Sequence, residues 1–165
     1  MASPTPPFTP LVCVVDFHHA RGPEISHWFG TDPSSPETHP TVTNDWSLIP
    51  YMALPDGAHQ ADEEFSYFSL VYKPTAGEPT SVFGISCMHQ IESSELVYRP
   101  AEVTRSAVQK AVVVLTDKPE GFSVLREKVS AVTRAWFGQR DFRDVEVLQV
   151  GELVYPLRWT LCWCR

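Results

Sequence analysis

The chain has 165 residues, about the length of one domain at the usual ~100–200 residues per domain. Thirteen basic residues against twenty acidic ones leave a net charge of −7. That balance argues against a nucleic-acid-binding protein, because such proteins need a dense basic face. Hydrophobic residues make up 43% of the chain and the mean hydropathy is −0.14, which suits an ordinary core rather than a disordered chain. No apolar run approaches the ~20 residues that cross a bilayer, so we expect no direct membrane insertion.

Composition divides the chain into three parts. Residues 1–10 carry four prolines and predict a disordered lead without the features of a secretory signal. Residues 11–154 are expected to form one folded domain. Residues 155–165 form an atypical tail with two tryptophans and two cysteines, and such a tail on a soluble domain suggests a gene-model artefact.

The four cysteines do not form a disulfide framework. Cys13 and Cys87 lie inside apolar runs, where a free cysteine behaves as a small buried hydrophobe. Cys162 and Cys164 lie in the tail. Without a signal peptide we expect a reducing, cytoplasmic compartment, and we interpret all four as free thiols.

Five strands are predicted from the apolar and β-branched runs at 11–18, 24–29, 65–72, 81–91 and 108–116. The first and the last run are almost continuously apolar, as is typical of central strands that are covered on both faces. We therefore expect these two strands to be neighbours in the sheet, with 24–29 forming a hairpin with 11–18.

Helices are expected in two places. The amphipathic segment 46–54 follows a long loop at 30–44 and predicts a short helix. Apolar residues in the last third step by three and four, which predicts a helix from Phe122 to Gly138, and Asp141 is placed to cap a second one. The order β-β-α-β-β-β-α-α is that of an α+β domain, a mostly antiparallel five-stranded sheet with helices packed against it, and matches the longin-type sheet.

Metal ligands and cofactor motifs are not evident in the sequence. His18 and His19 are adjacent on a strand and point to opposite faces, and no second close pair accompanies Cys162 and Cys164. The acidic run at 62–64 is interpreted as a solvated strand entry. Phosphate-binding glycine loops are lacking, so we expect neither a metal nor a cofactor.

One pair of residues permits an enzymatic alternative. Cys87 and His89 are two residues apart on a predicted strand and share a face, as a thiolate and its base would. This pair leaves a small cytosolic thiol hydrolase as an alternative function. The sequence has no G-x-S-x-G elbow and no recognisable oxyanion hole, so we expect a protein that is not an enzyme and has no catalytic residues.

Four segments, taken together, resemble a known family. They are residues 15–19 with Gly22-Pro23, residues 46–59, residues 82–91 and residues 104–110. In this order and spacing they resemble the N-terminal part of the Avl9 (Avl-nine) transport-protein family, a branch of the DENN-domain proteins. The resemblance covers about residues 11 to 153, and its most specific stretches are LPDGAH and FGISC followed by QI.

The resemblance implies a longin-like upstream DENN domain at 11–154, part of a membrane-trafficking protein of the late secretory pathway from Golgi to cell surface. It implies a cytoplasmic protein, held peripherally at Golgi or secretory vesicle membranes through its partners. Those partners would be a small GTPase of the Rab type, for which DENN proteins act as guanine nucleotide exchange factors, other trafficking proteins, and the central and downstream DENN regions. A purely structural lobe of a larger DENN protein is a further alternative.

Three residues are candidates for partner binding, namely Trp46, Asp56 and Arg105. A core anchor is the alternative for Trp46. For Arg105, which precedes an apolar strand, the alternative is a charge that keeps the strand end soluble.

Overall fold

The computed structural model describes residues 8–31, 39–55, 61–149 and 153. Most of the predicted disordered lead and the whole tail 155–165 lie outside these residues. Cys13 and Cys87 are free thiols, as expected. Cys162 and Cys164 belong to the tail and are not among the described residues.

Five antiparallel strands form one sheet. They are β1 (Leu11–His18), β2 (Gly22–Phe29), β3 (Glu63–Tyr72), β4 (Thr80–Glu92) and β5 (Ala107–Thr116), in the spatial order β2-β1-β5-β4-β3. The predicted α+β class and five-stranded antiparallel sheet are confirmed. The two continuously apolar strands β1 and β5 are neighbours, because only central positions cover both of their faces.

Within residues 8–149, as far as the structure describes them, the helices beside the sheet are α1 (Pro40–Thr43), α2 (Ile49–Ala53) and α3 (Phe122–Gly138). The helix α1 is a single turn at the end of the segment that was predicted to be a loop. Short 3₁₀ turns occur at Ser93–Glu95, Pro119–Gly121 and Glu146–Leu148. In the described part of the chain, the helices are too short or too polar to span a bilayer.

The core has two layers, one on each face of the sheet. On the first face, α2 and Trp46 cover a cluster that includes Cys13, Val15 and Met88. On the second face, α3 covers a cluster that includes Val12, Cys87 and Val129. Alternate residues of β1 and β5 enter the two clusters, which explains the continuous apolar runs at 11–15 in β1 and 111–115 in β5.

The second helix predicted from Asp141 is absent across 141–149, where one 3₁₀ turn stands instead. Asp141 accepts a hydrogen bond from the N–H of Arg143, and Asp144 accepts one from the N–H of Glu146, so each closes a short turn. The carbonyl of Asp144 accepts a hydrogen bond from Trp136 Nε1 at 2.9 Å. In an α-helix this carbonyl would instead accept from the backbone N–H four residues later.

Candidate functional site

A row of polar side chains crosses all five strands on the face that α3 covers. Residues that lie directly opposite one another in neighbouring strands share a face of the sheet. Read across the sheet from β2 to β3, the row consists of Glu24, Asp16, Lys110, His89 and Glu63. This polar row begins where the apolar parts of the central strands end, after Leu11–Val15 in β1 and before Ala111–Thr116 in β5.

One end of the polar row opens into a cavity of about 490 Å³, which we call the strand-end groove. Its walls come from the end of β1, the start of β5, the segment 96–103 and the residues that follow α3. The lining side chains include Asp16, Phe17, His19, Tyr98, Lys110 and Phe142.

The centre of the groove holds a half-buried ion pair. Lys110 Nζ lies 2.6 Å from Asp16 Oδ2 and 5.0 Å from the centre of the Phe142 ring. Asp16 Oδ1 is buried and has no hydrogen-bond partner among the described residues. A buried acceptor without a donor is costly, so the Asp16 carboxylate depends on the charge of Lys110 for compensation.

Two segments far apart in the sequence meet at the groove. His19 Nδ1 accepts hydrogen bonds from the backbone N–H groups of Thr104, at 2.9 Å, and Arg105, at 3.1 Å. Desolvation by its surroundings and the nearby charge of Arg105 lower the pKa of His19, which favours the neutral ring that can accept these bonds. The Arg105 guanidinium lies 4.9 Å above the centre of the Phe17 ring.

Of the residues predicted for partner binding, Trp46 and Arg105 do not come together. Arg105 is exposed and lies over Phe17, one of the side chains that line the strand-end groove. Trp46 is 4% exposed in the α2-side core, where its Nε1 donates to the carbonyl of Val71 at 3.0 Å. Its position is that of the core anchor, and a role in partner contact stays a prediction. Asp56 lies outside the described residues.

The other end of the polar row is a second group of polar side chains, which we call the β3–β4 cluster. Glu63 Oε1 lies 3.6 Å from Cys87 Sγ and 3.2 Å from His89 Nε2. The helix α3 supplies Ser130, which donates to Glu63 Oε1, and Arg134, which binds Oε2 at 2.5 Å.

Electrostatics favour a charged carboxylate at Glu63. Burial alone would raise the pKa of Glu63, but hydrogen bonds from Ser130, Arg134 and His89 outweigh it and lower the pKa to about 2. Glu63 is therefore an anion at neutral pH, held between two strands and a helix.

Cys87 and His89 share a face, as the sequence implied, but Cys87 is fully buried. Burial and the nearby Glu63 carboxylate raise the pKa of Cys87 to about 12, so the thiol stays protonated at neutral pH. A catalytic cysteine requires the opposite shift. The geometry therefore gives no support to the thiol hydrolase alternative.

Sequence patterns did not identify Glu63 or the polar row. Glu63 belongs to the acidic run that was interpreted as a solvated strand entry, whereas its side chain faces α3 and is 20% exposed. Its neighbours Cys87 and His89 are set by the register of β3 against β4. The alternation of apolar and polar residues in both strands was the available signal, but it does not fix the register.

The antiparallel sheet, with a long helix on one face and a short one on the other, defines an α+β domain that is consistent with the longin-like class. The chain belongs to the Avl9 family, because the family model described as "Transport protein Avl9" matches residues 9–154.

Two relatives are similar over most of the chain. The late secretory pathway protein AVL9 of Saccharomyces cerevisiae is 42% identical over an alignment of 154 residues that covers 84% of this chain and 19% of the yeast protein. The late secretory pathway protein avl9 of Schizosaccharomyces pombe is 41% identical over 138 residues, 84% of this chain and 27% of that protein. The chain thus spans only about a fifth to a quarter of these relatives, and no solved structure matches it.

Proposed function

We propose that this chain is the partner-binding module of a membrane-trafficking protein of the late secretory pathway, between the Golgi and the cell surface. The names of the two yeast relatives support this pathway. Within it, the module binds a small GTPase of the Rab type and forms the upstream part of a DENN-type exchange factor. It works in the cytoplasm, held at Golgi or secretory vesicle membranes by its partners.

The strand-end groove is the observation that carries this proposal. Two of the four segments that resemble the Avl9 family, residues 15–23 and 104–110, are joined at the groove by the hydrogen bonds to His19. Arg105 lies over the ring of Phe17, which lines the groove, and the groove itself holds the ion pair of Asp16 and Lys110. A concave surface with paired charges suits a polar protein partner.

The groove is better suited to binding than to catalysis. Each of its two histidines holds a turn, since His18 Nδ1 accepts from the N–H groups of Ala20 and Arg21, and His19 Nδ1 accepts from Thr104 and Arg105. Exchange factors need no bond chemistry, because they act by binding the nucleotide-free GTPase more tightly than the loaded form.

A binding measurement with charge-reversal variants tests the groove. The purified chain is immobilised and a panel of Rab GTPases is passed over it in nucleotide-free, GDP-bound and GTP-bound forms. We expect one GTPase to bind, and Arg105→Glu to weaken that binding about tenfold, because it reverses a charge at the rim.

The matched control is Arg126→Glu, since Arg126 is also exposed and also lies over an aromatic ring, that of Phe65 at 4.6 Å, but on α3. This variant should bind as the unchanged chain does. Equal loss in both variants would show a general charge effect, and a panel without any binder would refute GTPase binding by this module alone.

A second candidate, the structural lobe, is favoured by an exposed apolar strip on the edge strand β3. Tyr67 is 52% exposed and Val71 is 61% exposed on the face that α3 covers only in part, and the Tyr67 ring lies 5.7 Å from that of Phe122. Exposed apolar side chains on an edge strand are typical of a surface that another part of a protein covers. The remaining three quarters or more of the yeast relatives could supply one.

Co-expression distinguishes the lobe from the GTPase-binding module. The chain is produced with the part of the Schizosaccharomyces pombe relative that follows the matched region, and capture of one through the other is measured. We expect Tyr67→Glu to abolish capture and Tyr51→Glu, at a 59% exposed tyrosine of α2, to leave it intact. Absence of capture by the unchanged chain would refute the hypothesis that the chain is a structural lobe of a larger protein.

A further inference from the structure

We infer that the β3–β4 cluster is a binding site for a zinc-like divalent metal ion. Cys87 and His89 project from one face of β4, two residues apart, and Glu63 of β3 lies directly opposite His89. Their three ligand atoms lie within 4.8 Å of one another. The site is independent of the strand-end groove and of the proposed function.

The spacing of the ligand atoms fits a tetrahedral ion. With metal–ligand distances of ~2.0–2.3 Å, neighbouring ligand atoms of a tetrahedral zinc site lie ~3.3–3.6 Å apart. Glu63 Oε1 lies 3.6 Å from Cys87 Sγ and 3.2 Å from His89 Nε2. Two of the three separations are therefore close to the required length, and the third, between Cys87 Sγ and His89 Nε2, is at most 4.8 Å.

The chemistry of the donors selects the class of ion. A cysteine sulfur, an imidazole nitrogen and a carboxylate oxygen form a mixed set that suits zinc and its cobalt substitute, whereas calcium and magnesium require oxygen ligands throughout. Three protein ligands leave a fourth position for water. The ion would bind the thiolate form of Cys87, releasing one proton to solvent.

The surroundings of the cluster resemble the outer shell of a metal site. Ser130 donates to Glu63 Oε1 and Arg134 binds Oε2, so the carboxylate is held in place from α3. The Phe137 ring packs 5.4 Å from the His89 ring. Such supporting contacts fix the orientation of ligands and are typical of metal sites.

The imidazole of His89 already lies against the carboxylate. His89 Nε2 is buried and lies 3.2 Å from Glu63 Oε1, and the His89 side chain is 14% exposed. A bound metal ion would take the place of this contact and would bind both side chains.

Metal content and cobalt absorption test the site. All variants carry Cys162→Ser and Cys164→Ser, because the tail thiols could bind metal themselves. After dialysis against zinc and then against metal-free buffer, we expect about one zinc ion per chain. The cobalt form should show a thiolate-to-cobalt charge-transfer band that Cys87→Ala abolishes. Cys13→Ala, at the other buried free cysteine, should keep the band.

A second variant keeps the test decisive if Cys87→Ala does not fold. His89→Gln replaces a partly exposed side chain and should fold, while lowering the zinc affinity at least ~100-fold in competition with a chromophoric chelator. Ser130→Ala, which removes only a supporting hydrogen bond, should lower the affinity ~10-fold. Less than ~0.1 zinc per folded chain, a cobalt spectrum without the thiolate band, or an unchanged affinity in His89→Gln would overturn the inference.

Discussion

Cys13 and Cys87 are fully buried on opposite faces of the sheet, Cys13 towards α2 and Cys87 towards α3. Burial raises the pKa of both thiols above the ordinary value. Because the thiolate is the reactive species, both side chains should be inert in the folded protein at neutral pH.

A thiol reagent measures this inertness directly. In a chain with both tail cysteines replaced by serine and with metal removed, Cys13 and Cys87 should react with a disulfide reagent only after unfolding in urea. The unfolded chain provides the control for reagent and stoichiometry. Rapid reaction of Cys87 in the folded chain, with Cys13 silent, would revive the thiol hydrolase alternative.

Gly84 of β4 has no side chain, and this allows the Phe68 ring of β3 to pack directly against its backbone. It lies opposite Phe68 of β3, and a Cβ atom at Gly84 would lie 2.3 Å from the Phe68 ring. Gly84→Ala should lower the free energy of unfolding by about 1–3 kcal/mol, because the ring has to move in a packed layer. The measurement is urea denaturation followed by tryptophan fluorescence.

Gly138→Ala is the matched control for that substitution. A Cβ atom at Gly138 meets nothing within 4 Å, and the position is the last of α3. We expect no loss of stability there, and a gain of up to about 1 kcal/mol. Equal stability of the two alanine variants would show that Phe68 moves aside freely.

Among the elements, the end of β3 depends on one side chain that belongs to no strand. Asn44, 5% exposed, accepts from the N–H of Lys73 at 2.6 Å and donates to the carbonyl of Pro40 at 2.9 Å. Asn44→Ala would remove the acceptor of the Lys73 N–H, whereas the Pro40 carbonyl would keep the backbone N–H of residue 44 as its donor, so we expect a loss of about 1 kcal/mol in the free energy of unfolding. Thr43→Ala, at the exposed neighbouring residue, should lower the free energy of unfolding much less. An equal loss in the two variants would contradict a specific role of the Asn44 side chain.

Acid should destabilise the turn that Asp141 and Arg143 close after α3. Hydrogen bonds from the side chain and the N–H of Arg143 lower the pKa of Asp141 from 3.8 to about 2. A lowered pKa stabilises the folded chain above the ordinary value of the carboxyl group, and this contribution disappears as the pH falls towards about 2.

The variant Asp141→Asn isolates that contribution. It should be slightly less stable than the unchanged chain in urea at neutral pH, and the difference should shrink as the pH falls towards about 2, because Asp141 is progressively protonated there. Asp62→Asn, at an exposed carboxylate outside the turn, should show no such convergence. A constant difference across this pH range would show that Asp141 acts without its charge.

The elements that the sequence predicts well are those whose own residues determine them. The strand β1 was predicted with its observed bounds, since its continuous apolar run has no alternative, and α3 follows from its regular apolar spacing. The start of the second C-terminal helix at Asp141 was predicted wrongly for residues 141–149, because Asp141 is as good a residue for a turn as for a helix cap. Residues 150–152 of the predicted helix lie outside the described residues, and Leu153 is helical. The contact from Trp136 that favours the turn is tertiary and leaves no local pattern.

The candidate site residues also differ in how far the local sequence reveals them. Arg105 lies in a segment that resembles the family and contacts the ring of Phe17, which lines the groove, and its role in partner binding stays a prediction. The neighbours of Glu63 could not be predicted, because the partner of each strand residue depends on a register that alternation alone leaves open.

At the scale of the whole molecule, the polar row places one cation, Lys110, between two carboxylate ends. Lys110→Met should leave the half-buried Asp16 without its partner and lower the free energy of unfolding by roughly 3 kcal/mol. The double variant Asp16→Asn with Lys110→Met should recover part of the loss, as urea denaturation would show. Additive losses would mean that the two side chains do not interact.

The strand order also determines when each strand can pair during translation. The first strand, β1, pairs with β2 at once, but its other neighbour, β5, is made after β3 and β4. At the usual ~5–20 residues per second the ribosome needs on the order of ten seconds to reach β5. During that interval the apolar residues of β1 are uncovered along one edge. A nascent chain that is halted before β5 should therefore recruit chaperones, and release them once β5 has emerged.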